Sequence, residues 1–267
     1  MPKHTRDWWF KLTLKVSVSS LGTYESCPRK YKFQQIDKLP RKTWEHLDVG
    51  NYVHEVLEHF HKELNADASQ QPEALLKQIA KNTWSKFSAK ISAEGMEKSK
   101  GLLKSYLAHV ASDGWPEVLA TEDRFSIQIN DDLLIRGVVD RIDRTPNGYQ
   151  ILDYKTGQSK YLDKFQLQVY GMHLKNLFPD IQEYDGVYLV LPEGPKKLSY
   201  RITLSDIEEA KEDIIKTAEQ IATDKTWEPK PTFLCNYCDY YDACPDAWGK
   251  GKSGGSDLVK ISGRKKF

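Results

Sequence analysis

The stretch of sequence that decides the fold is GVVDRID at residues 137–143 and ILDYKTG at residues 151–157, joined by RTPNGYQ at residues 144–150. Both outer segments alternate apolar and polar residues, which predicts two strands. The joining segment favours a tight turn, because its proline presets one φ angle and its Asn-Gly accepts positive φ. These residues therefore predict an antiparallel hairpin.

Either a two-residue or a four-residue loop in this hairpin places Asp140, Asp153 and Lys155 on one face of the sheet. Carboxylates are hard oxygen ligands for divalent cations, and a lysine beside them can orient water and offset negative charge on a phosphate. The triple suits metal-dependent phosphodiester hydrolysis. A surface salt bridge on an exposed hairpin uses the same residue types, so the three residues alone leave both interpretations open.

The chain has four cysteines: Cys27, and a C-x2-C-x5-C run formed by Cys235, Cys238 and Cys244. This spacing predicts one four-coordinate site that joins the two ends of the chain. Four thiolates suit a [4Fe–4S] cluster as well as a structural Zn²⁺, and ligand identity does not separate them. The N-terminus lacks a secretory signal, so we expect a cytoplasmic location. Disulfides are disfavoured in that reducing compartment, so a metal site explains the four cysteines better than disulfides do.

Composition narrows the class of protein without naming a substrate. The 267 residues, 39% hydrophobic and 29% charged, suffice for one elaborated domain or two small ones. No apolar run is long enough for a bilayer, and MPKHTRDWWFK lacks the apolar segment of a secretory signal, so we expect no membrane association. The net charge is only +1, so phosphate binding would have to come from local patches such as Arg29 and Lys30.

The remaining periodicities predict helices and further strands. A cap at Ser17–Ser20 opens a short helix near Leu21, and apolar residues spaced three and four apart from 49 to 64 predict an amphipathic helix. Other expected elements are a helical region to residue 115, strands near 124–129, 186–191 and 198–204, a helix at 162–177, and a last helix capped at Ser205. Together these strands and helices predict an α/β (α+β) fold class.

In this order, the motifs resemble the PD-(D/E)XK nucleases, and more narrowly the RecB-, AddB- and Cas4-like branch. The resemblance is carried by SVSSLGTYESCPRKYKF at 17–33, GNYVHEVLE at 50–58, the strand aspartate followed by DYK at 153–155, and Gln166-x3-Tyr170, with the four cysteines of the iron–sulfur members. It implies a restriction-endonuclease-like core, in which helices flank a mixed central β-sheet, with a helical insertion. The implied division is one nuclease domain at 1–246, made of an N-terminal segment (17–48), a helical region (49–115), the core (116–224) and the cysteine cluster (225–246), followed by a flexible basic tail (247–267).

The resemblance also implies roles for individual residues. Mg²⁺ or Mn²⁺ would be held by His54, Asp140, Asp153 and the backbone carbonyl of Tyr154. Lys155 would be the catalytic lysine, and Glu122 stands where many members keep an acidic residue. Gln166 and Tyr170 would contact DNA or steady the site. The implied [4Fe–4S] ligands are Cys27, Cys235, Cys238 and Cys244.

The expected function is that of a metal-dependent DNA exonuclease acting on single-stranded ends. The alternative is a DNA-binding or DNA-processing subunit of a larger repair, recombination or CRISPR-adaptation complex, with little activity alone and a helicase or integrase partner. The sequence has no G-x4-G-K-[ST] phosphate loop, so this chain by itself is not a helicase motor.

Overall fold

The computed structural model describes residues 13–250 apart from residues 68, 70 and 195, with only the backbone at residues 66 and 161. Most of the predicted basic tail, residues 251–267, lies outside the described residues. Within them, the chain forms a six-stranded sheet and seven α-helices. The strands are β1 (Leu14–Val16), β2 (Glu117–Asn130), β3 (Leu133–Thr145), β4 (Gly148–Lys155), β5 (Glu183–Val190) and β6 (Lys196–Thr203). The helices are α1 (Val18–Ser26), α2 (Pro28–Tyr31), α3 (Glu45–Ala66), α4 (Pro72–Trp84), α5 (Ala93–Asp113), α6 (Phe165–Leu177) and α7 (Leu204–Thr223).

The sheet is mixed and forks at its long strand β3. The order is β1-β3-β4-β5-β6, and β2 pairs with β3 along its other edge. On the edge away from β2, β3 pairs in parallel with β1 at Leu133–Ile135 and antiparallel with β4 at Arg141–Thr145. The segment 136–140 lies between these two pairings, so the strands diverge there. Asp140 stands at the fork.

The predicted hairpin is confirmed, with a two-residue turn at Pro146 and Asn147. Arg144 pairs with Tyr149 and Thr145 pairs with Gly148, whose φ of 122° is accessible to glycine. This is one of the two registers that the sequence allowed. The same register carried beyond the last pair, Arg141 with Leu152, brings Asp140 opposite Asp153 where the strands separate.

Helices cover the sheet on both faces, so the predicted mixed sheet flanked by helices is confirmed. One core contains side chains from α3, α4 and α5 together with Leu152 and Tyr154 of β4. The other contains side chains from α1, α6 and α7 together with Ile151. Successive β4 residues enter different cores because side chains alternate along a strand. None of the helices in the described part of the chain has both the length and the apolar character needed to cross a bilayer.

Several element boundaries differ from the prediction for local reasons. The last helix begins two residues earlier than expected, because Thr203 rather than Ser205 is its cap. The Thr203 side chain accepts from the Asp206 amide, and Asp206 accepts from the Thr203 amide at 2.9 Å. Helix α6 begins at Phe165 rather than 162, after a separate 3₁₀ turn at Ser159–Tyr161. The amphipathic helix α3 is longer at both ends than the predicted 49–64.

The two ends of the described chain are joined by direct contacts. The Tyr24 hydroxyl donates to Asp224 at 2.9 Å, and the ring of Tyr31 stacks on Trp227 with 6.0 Å between centroids. Further along, the Trp44 indole donates to Asp239 at 2.8 Å. These contacts bring the segment that carries Cys27 against the segment that carries the other cysteines.

Candidate active site

Three potential metal ligands converge at the fork of the sheet. His54 comes from α3, Glu122 from β2 and Asp140 from β3, and their ligand atoms all lie within 4.8 Å of one another. The His54 Nδ1 atom is 3.4 Å from Asp140 Oδ2 and 4.0 Å from Glu122 Oε1. The three side chains are partly exposed, so a cation has access to them.

Local structure explains how two of these residues reach the fork. The apolar stripe of α3, with Val53 and Leu57 fully buried, holds the helix against the sheet and leaves His54 at its margin. Glu122 lies between paired residues of β2, opposite Asp140, and has a φ of 48°. This left-handed conformation costs a non-glycine residue roughly 1–2 kcal/mol, and such strain clusters at functional sites.

The second part of the site is a closed ring of contacts at the end of β4. Lys155 Nζ lies 2.6 Å from Asp153 Oδ1 and donates to Gln166 Oε1 at 2.8 Å. The Gln166 amide donates to the Tyr170 hydroxyl at 2.6 Å, and that hydroxyl donates to Asp153 Oδ2 at 3.5 Å. Asp153 is only 2% exposed. The interpretation as a surface salt bridge on an exposed hairpin is therefore wrong.

The electrostatics of the site show an excess of negative charge. Burial raises the pKa of Asp153 to about 7, with a further rise from Asp140 and an opposing effect of Lys155. Burial and Asp140 also raise the pKa of Glu122. Burial disfavours the imidazolium of His54, but Asp140, Asp153 and Glu122 together raise its pKa to about 9. A divalent cation would relieve this clustering, and an imidazole with carboxylate oxygens suits Mn²⁺ or Mg²⁺.

The structure groups the predicted metal ligands differently from the sequence. His54 and Asp140 lie together as expected, but Glu122 completes the three-residue cluster, whereas Asp153 pairs with Lys155. The Tyr154 amide donates to Asp140 Oδ2 at 2.8 Å, which fixes the carboxylate. The metal-binding role of the Tyr154 carbonyl stays a prediction.

An open cleft of about 480 Å³ borders the His54 cluster. Its other walls come mainly from α3, including Glu55, Glu58 and His59, with Lys86 beyond them. Lys86 is paired with Glu55 and Lys62 with Glu58, so these cations are engaged by neighbouring carboxylates. This side of the site is suited to a cation rather than to a phosphate.

The four cysteines line one cavity of about 950 Å³ and form no disulfide. The four sulfurs are not closely clustered: no three of them lie within 4.8 Å of one another. A tetrahedral zinc with bonds of about 2.3 Å would hold its sulfurs roughly 3.8 Å apart. Backbone amides do point at two of the sulfurs. The Thr232 amide donates to Cys235 Sγ at 3.5 Å. Burial raises the pKa of the Cys238 thiol, and a hydrogen bond from the Tyr240 amide opposes that rise. The predicted iron–sulfur site stays a prediction.

Three of the four predicted DNA-binding residues line the cysteine cavity, and the fourth, Tyr170, is buried. Arg29 and Lys30 line the cysteine cavity, and Gln166 lies at another wall of the same cavity. Arg29 donates to the Trp227 carbonyl at 3.0 Å and lies 3.6 Å from Asp246, so it helps to join the chain ends. Lys30 also lies on the cysteine side of the cavity, whereas Gln166 touches the predicted catalytic lysine.

A buried polar network beneath the site was not predicted from the sequence. It is centred on Arg141 and Asp143, which are 2% and 1% exposed. The signal was present in GVVDRID, where two charged residues besides Asp140 interrupt an apolar strand. The contact of His173 with Asp123 at 2.8 Å, beside the strained Glu122, was not predicted either.

The chain is similar in sequence to known proteins. An ATP-dependent helicase/deoxyribonuclease subunit from Lactococcus lactis subsp. cremoris is 28% identical over 218 residues, covering 72% of this chain and 20% of the relative. The chain therefore spans about a fifth of the length of that relative. The Gene 69 protein of Mycobacterium phage D29 is 26% identical over 269 residues, covering 88% of this chain and 97% of the phage protein.

The fold has a counterpart among solved structures. The crystal structure of a candidate exonuclease from Eubacterium rectale aligns with 99% of this chain and 100% of that chain, with a TM-score of 0.53 and 13% identity. At this identity the likeness concerns the fold alone. The model of the PD-(D/E)XK nuclease superfamily matches residues 15–245, which include every element that builds the site. With its restriction-endonuclease-like core, this chain belongs to the PD-(D/E)XK nuclease superfamily.

Proposed function

We propose that this chain is a divalent-metal-dependent deoxyribonuclease that acts as an exonuclease on single-stranded DNA ends. The observation that carries the proposal is the cluster of His54, Glu122 and Asp140 beside the buried pair of Asp153 and Lys155. Nuclease chemistry is also supported by membership of the superfamily, and DNA as the substrate by the deoxyribonuclease subunit among its relatives.

The residues of the cluster would hold Mg²⁺ or Mn²⁺ through one imidazole nitrogen and carboxylate oxygens. When bound there, such a cation supplies Lewis acidity and lowers the pKa of water. Asp140 is prepared for this role because the Tyr154 amide fixes one of its oxygens. Asp153 is held nearby by Lys155 and could join the ligand set.

Lys155 supplies the positive charge of the reaction. Asp153 and Gln166 hold its ammonium group at 2.6 and 2.8 Å, so it needs little reorganisation when negative charge develops on the scissile phosphate. Tyr170 steadies Gln166 and thereby the lysine.

The finer assignments rest on the resemblance of the motifs. The exonuclease mode, the single-stranded end and the DNA contacts of Gln166, Tyr170, Arg29 and Lys30 are part of this proposal, as is a cytoplasmic location. We also propose that Cys27, Cys235, Cys238 and Cys244 hold a [4Fe–4S] cluster with a structural role. Their shared cavity and the amides aimed at the sulfurs support that assignment, and structural Zn²⁺ is the alternative.

A second candidate function is that of a nuclease subunit in a larger complex with a helicase or an integrase. It is favoured by the helicase/deoxyribonuclease subunit, of which this chain spans a fifth. The phage relative of nearly equal length favours a nuclease that works as a chain of this size. The two candidates differ in whether the purified chain cleaves DNA unaided.

The experiment uses anaerobically purified chain with end-labelled single-stranded and duplex oligonucleotides, in Mn²⁺, Mg²⁺ or EDTA. We expect metal-dependent release of short products from linear single strands and no cleavage of circular single strands. Lys155→Met is the matched control, and we expect it to lose at least about 10²-fold in rate.

Cleavage that persists in EDTA or in Lys155→Met would contradict the assigned chemistry. Cleavage of circular single strands would contradict the exonuclease mode alone. An inactive chain that gains activity with a helicase partner would favour the second candidate.

A further inference from the structure

A charged pair that the proposed chemistry does not use lies in the core beneath the site. Arg141 Nε is 2.9 Å from Asp143 Oδ1, and Arg141 Nη2 donates to Asp143 Oδ2 at 2.9 Å. Gln150 donates to the same carboxylate at 3.1 Å. Apolar residues of similar volume are often as stabilising as a buried ion pair. Stability alone therefore does not account for this pair.

The remaining nitrogen of the guanidinium faces a set of acceptors. Arg141 Nη1 lies 2.8 Å from the Tyr154 hydroxyl, 2.9 Å from the Tyr106 hydroxyl and 3.2 Å from His61 Nε2. Burial and Arg141 lower the pKa of His61 to about 3, so its imidazole is neutral and can accept. Arg141 thus joins Tyr154 of β4 to side chains of α3 and α5.

Tyr154 passes this restraint to the metal cluster by two contacts. Its backbone amide donates to Asp140 Oδ2 at 2.8 Å. Its ring packs edge-on against the imidazole of His54, with 5.9 Å between centroids and 88° between planes. Arg141 fixes the Tyr154 hydroxyl, and Tyr154 touches both His54 and Asp140. These are two of the three residues that would hold the cation.

We propose that Arg141 is a positioning residue which, by anchoring the Tyr154 hydroxyl, sets the placement of His54 and Asp140 and hence the affinity of the site for a divalent cation. The inference rests on the proposed function only in requiring that this cluster binds such a cation. Arg141 itself is buried and acts through Tyr154.

The test measures Mn²⁺ binding by titration calorimetry on the full chain, so it does not depend on nuclease activity. Tyr154→Phe removes the anchored hydroxyl and keeps the ring and the backbone. We expect its Mn²⁺ dissociation constant to rise about tenfold, the loss typical of partners that orient metal ligands. Tyr106→Phe is the matched control, because it removes a hydroxyl bonded to the same guanidinium without supplying the amide that holds Asp140. We expect its Mn²⁺ affinity to stay within about twofold of the wild type.

Arg141→Lys examines the arginine itself. Lysine keeps a positive charge for Asp143 but lacks the planar fork, so it cannot bond Asp143 and Tyr154 together. We expect about the same tenfold weakening. The double variant Arg141→Lys/Tyr154→Phe should bind no more weakly than Arg141→Lys alone, because both changes remove one coupling.

Three results would overturn the proposal: unchanged Mn²⁺ affinity in Tyr154→Phe, equal weakening in Tyr154→Phe and Tyr106→Phe, or additive effects in the double variant. Equal weakening would mean that the network only stabilises the fold. A wild-type chain that binds no Mn²⁺ would overturn this proposal and the proposed function together. Mn²⁺ binding without nuclease activity would overturn the proposed function alone.

Discussion

Replacement of Asp153 by asparagine is expected to stabilise the metal-free protein while removing its activity. The pKa of this buried carboxyl is raised from 3.8 to about 7, chiefly by burial and then by Asp140. Each pKa unit corresponds to about 1.4 kcal/mol, so keeping the carboxylate charged in the folded state costs about 4 kcal/mol. Asparagine resembles the protonated carboxyl in shape and cannot ionise.

Because folding raises the pKa of Asp153, the stability difference between the variant and the wild type depends on pH. Below about pH 4 the carboxyl is protonated in the folded and the unfolded chain, and no cost arises. Between about pH 4 and pH 7 the unfolded chain releases the proton first, so the free energy of unfolding of the wild type falls as the pH rises. Above about pH 7 the cost is constant. Asp153→Asn lacks this cost and should be more stable by up to about 4 kcal/mol at about pH 8.

The assay is urea unfolding in EDTA at about pH 8 and about pH 4.5, followed by circular dichroism. Asp131→Asn, at an exposed position in the turn between β2 and β3, is the control, and we expect it to stay within about 0.5 kcal/mol of the wild type. Adding Mn²⁺ should narrow the gap between Asp153→Asn and the wild type, because a bound cation stabilises the folded wild type. A variant less stable than the wild type at the higher pH, or an advantage equal at both pH values, would refute the reasoning.

Three other changes test separate parts of the molecule. Ca²⁺ in place of Mn²⁺ should permit DNA binding without cleavage in the end-labelled assay, because it is larger and a weaker Lewis acid; turnover in Ca²⁺ would contradict the role given to the cation. Cys235→Ser should bleach the visible absorbance of an anaerobic preparation and lower its melting temperature, whereas a colourless wild type with one zinc would reject the iron–sulfur assignment. Gly137→Ala should lower the free energy of unfolding by about 1–3 kcal/mol, because the added methyl group would overlap the ring of Phe125. Phe125→Leu in the Gly137→Ala background should recover part of that loss in urea unfolding, and no recovery would show that the clash lies elsewhere.

Much of the fold could be predicted because its signals are local. The hairpin of β3 and β4 depends on alternation within each strand and on a turn of two residues, so the shared face of Asp140, Asp153 and Lys155 was accessible to sequence reasoning. The amphipathic helix carrying His54 was equally accessible from its period. Its boundaries were less so, and at the last helix Thr203 competes as a cap with Ser205, a residue of similar chemistry.

The burial and charge of the site could not be predicted in this way. An exposed hairpin was one of the two interpretations that the sequence left open for Asp153, and the residue is buried because helices cover both faces of β4. The approach of Glu122 to Asp140 depends on a left-handed backbone at one strand position, and no composition signal marks that conformation. The raised pKa values follow from burial and from charges that meet only after folding.

The sequence by itself determined the hairpin and the alternation along its strands. That alternation places Asp140, Asp153 and Lys155 on one face of the sheet. Tertiary structure alone decided that Glu122 rather than Asp153 completes the cluster with His54 and Asp140, and that Arg141 anchors Tyr154 beneath them. The physical reason is the distance along the chain over which each interaction acts. Periodicity and turn chemistry act over a few residues, whereas ligand distances, burial and pKa values depend on how remote elements pack.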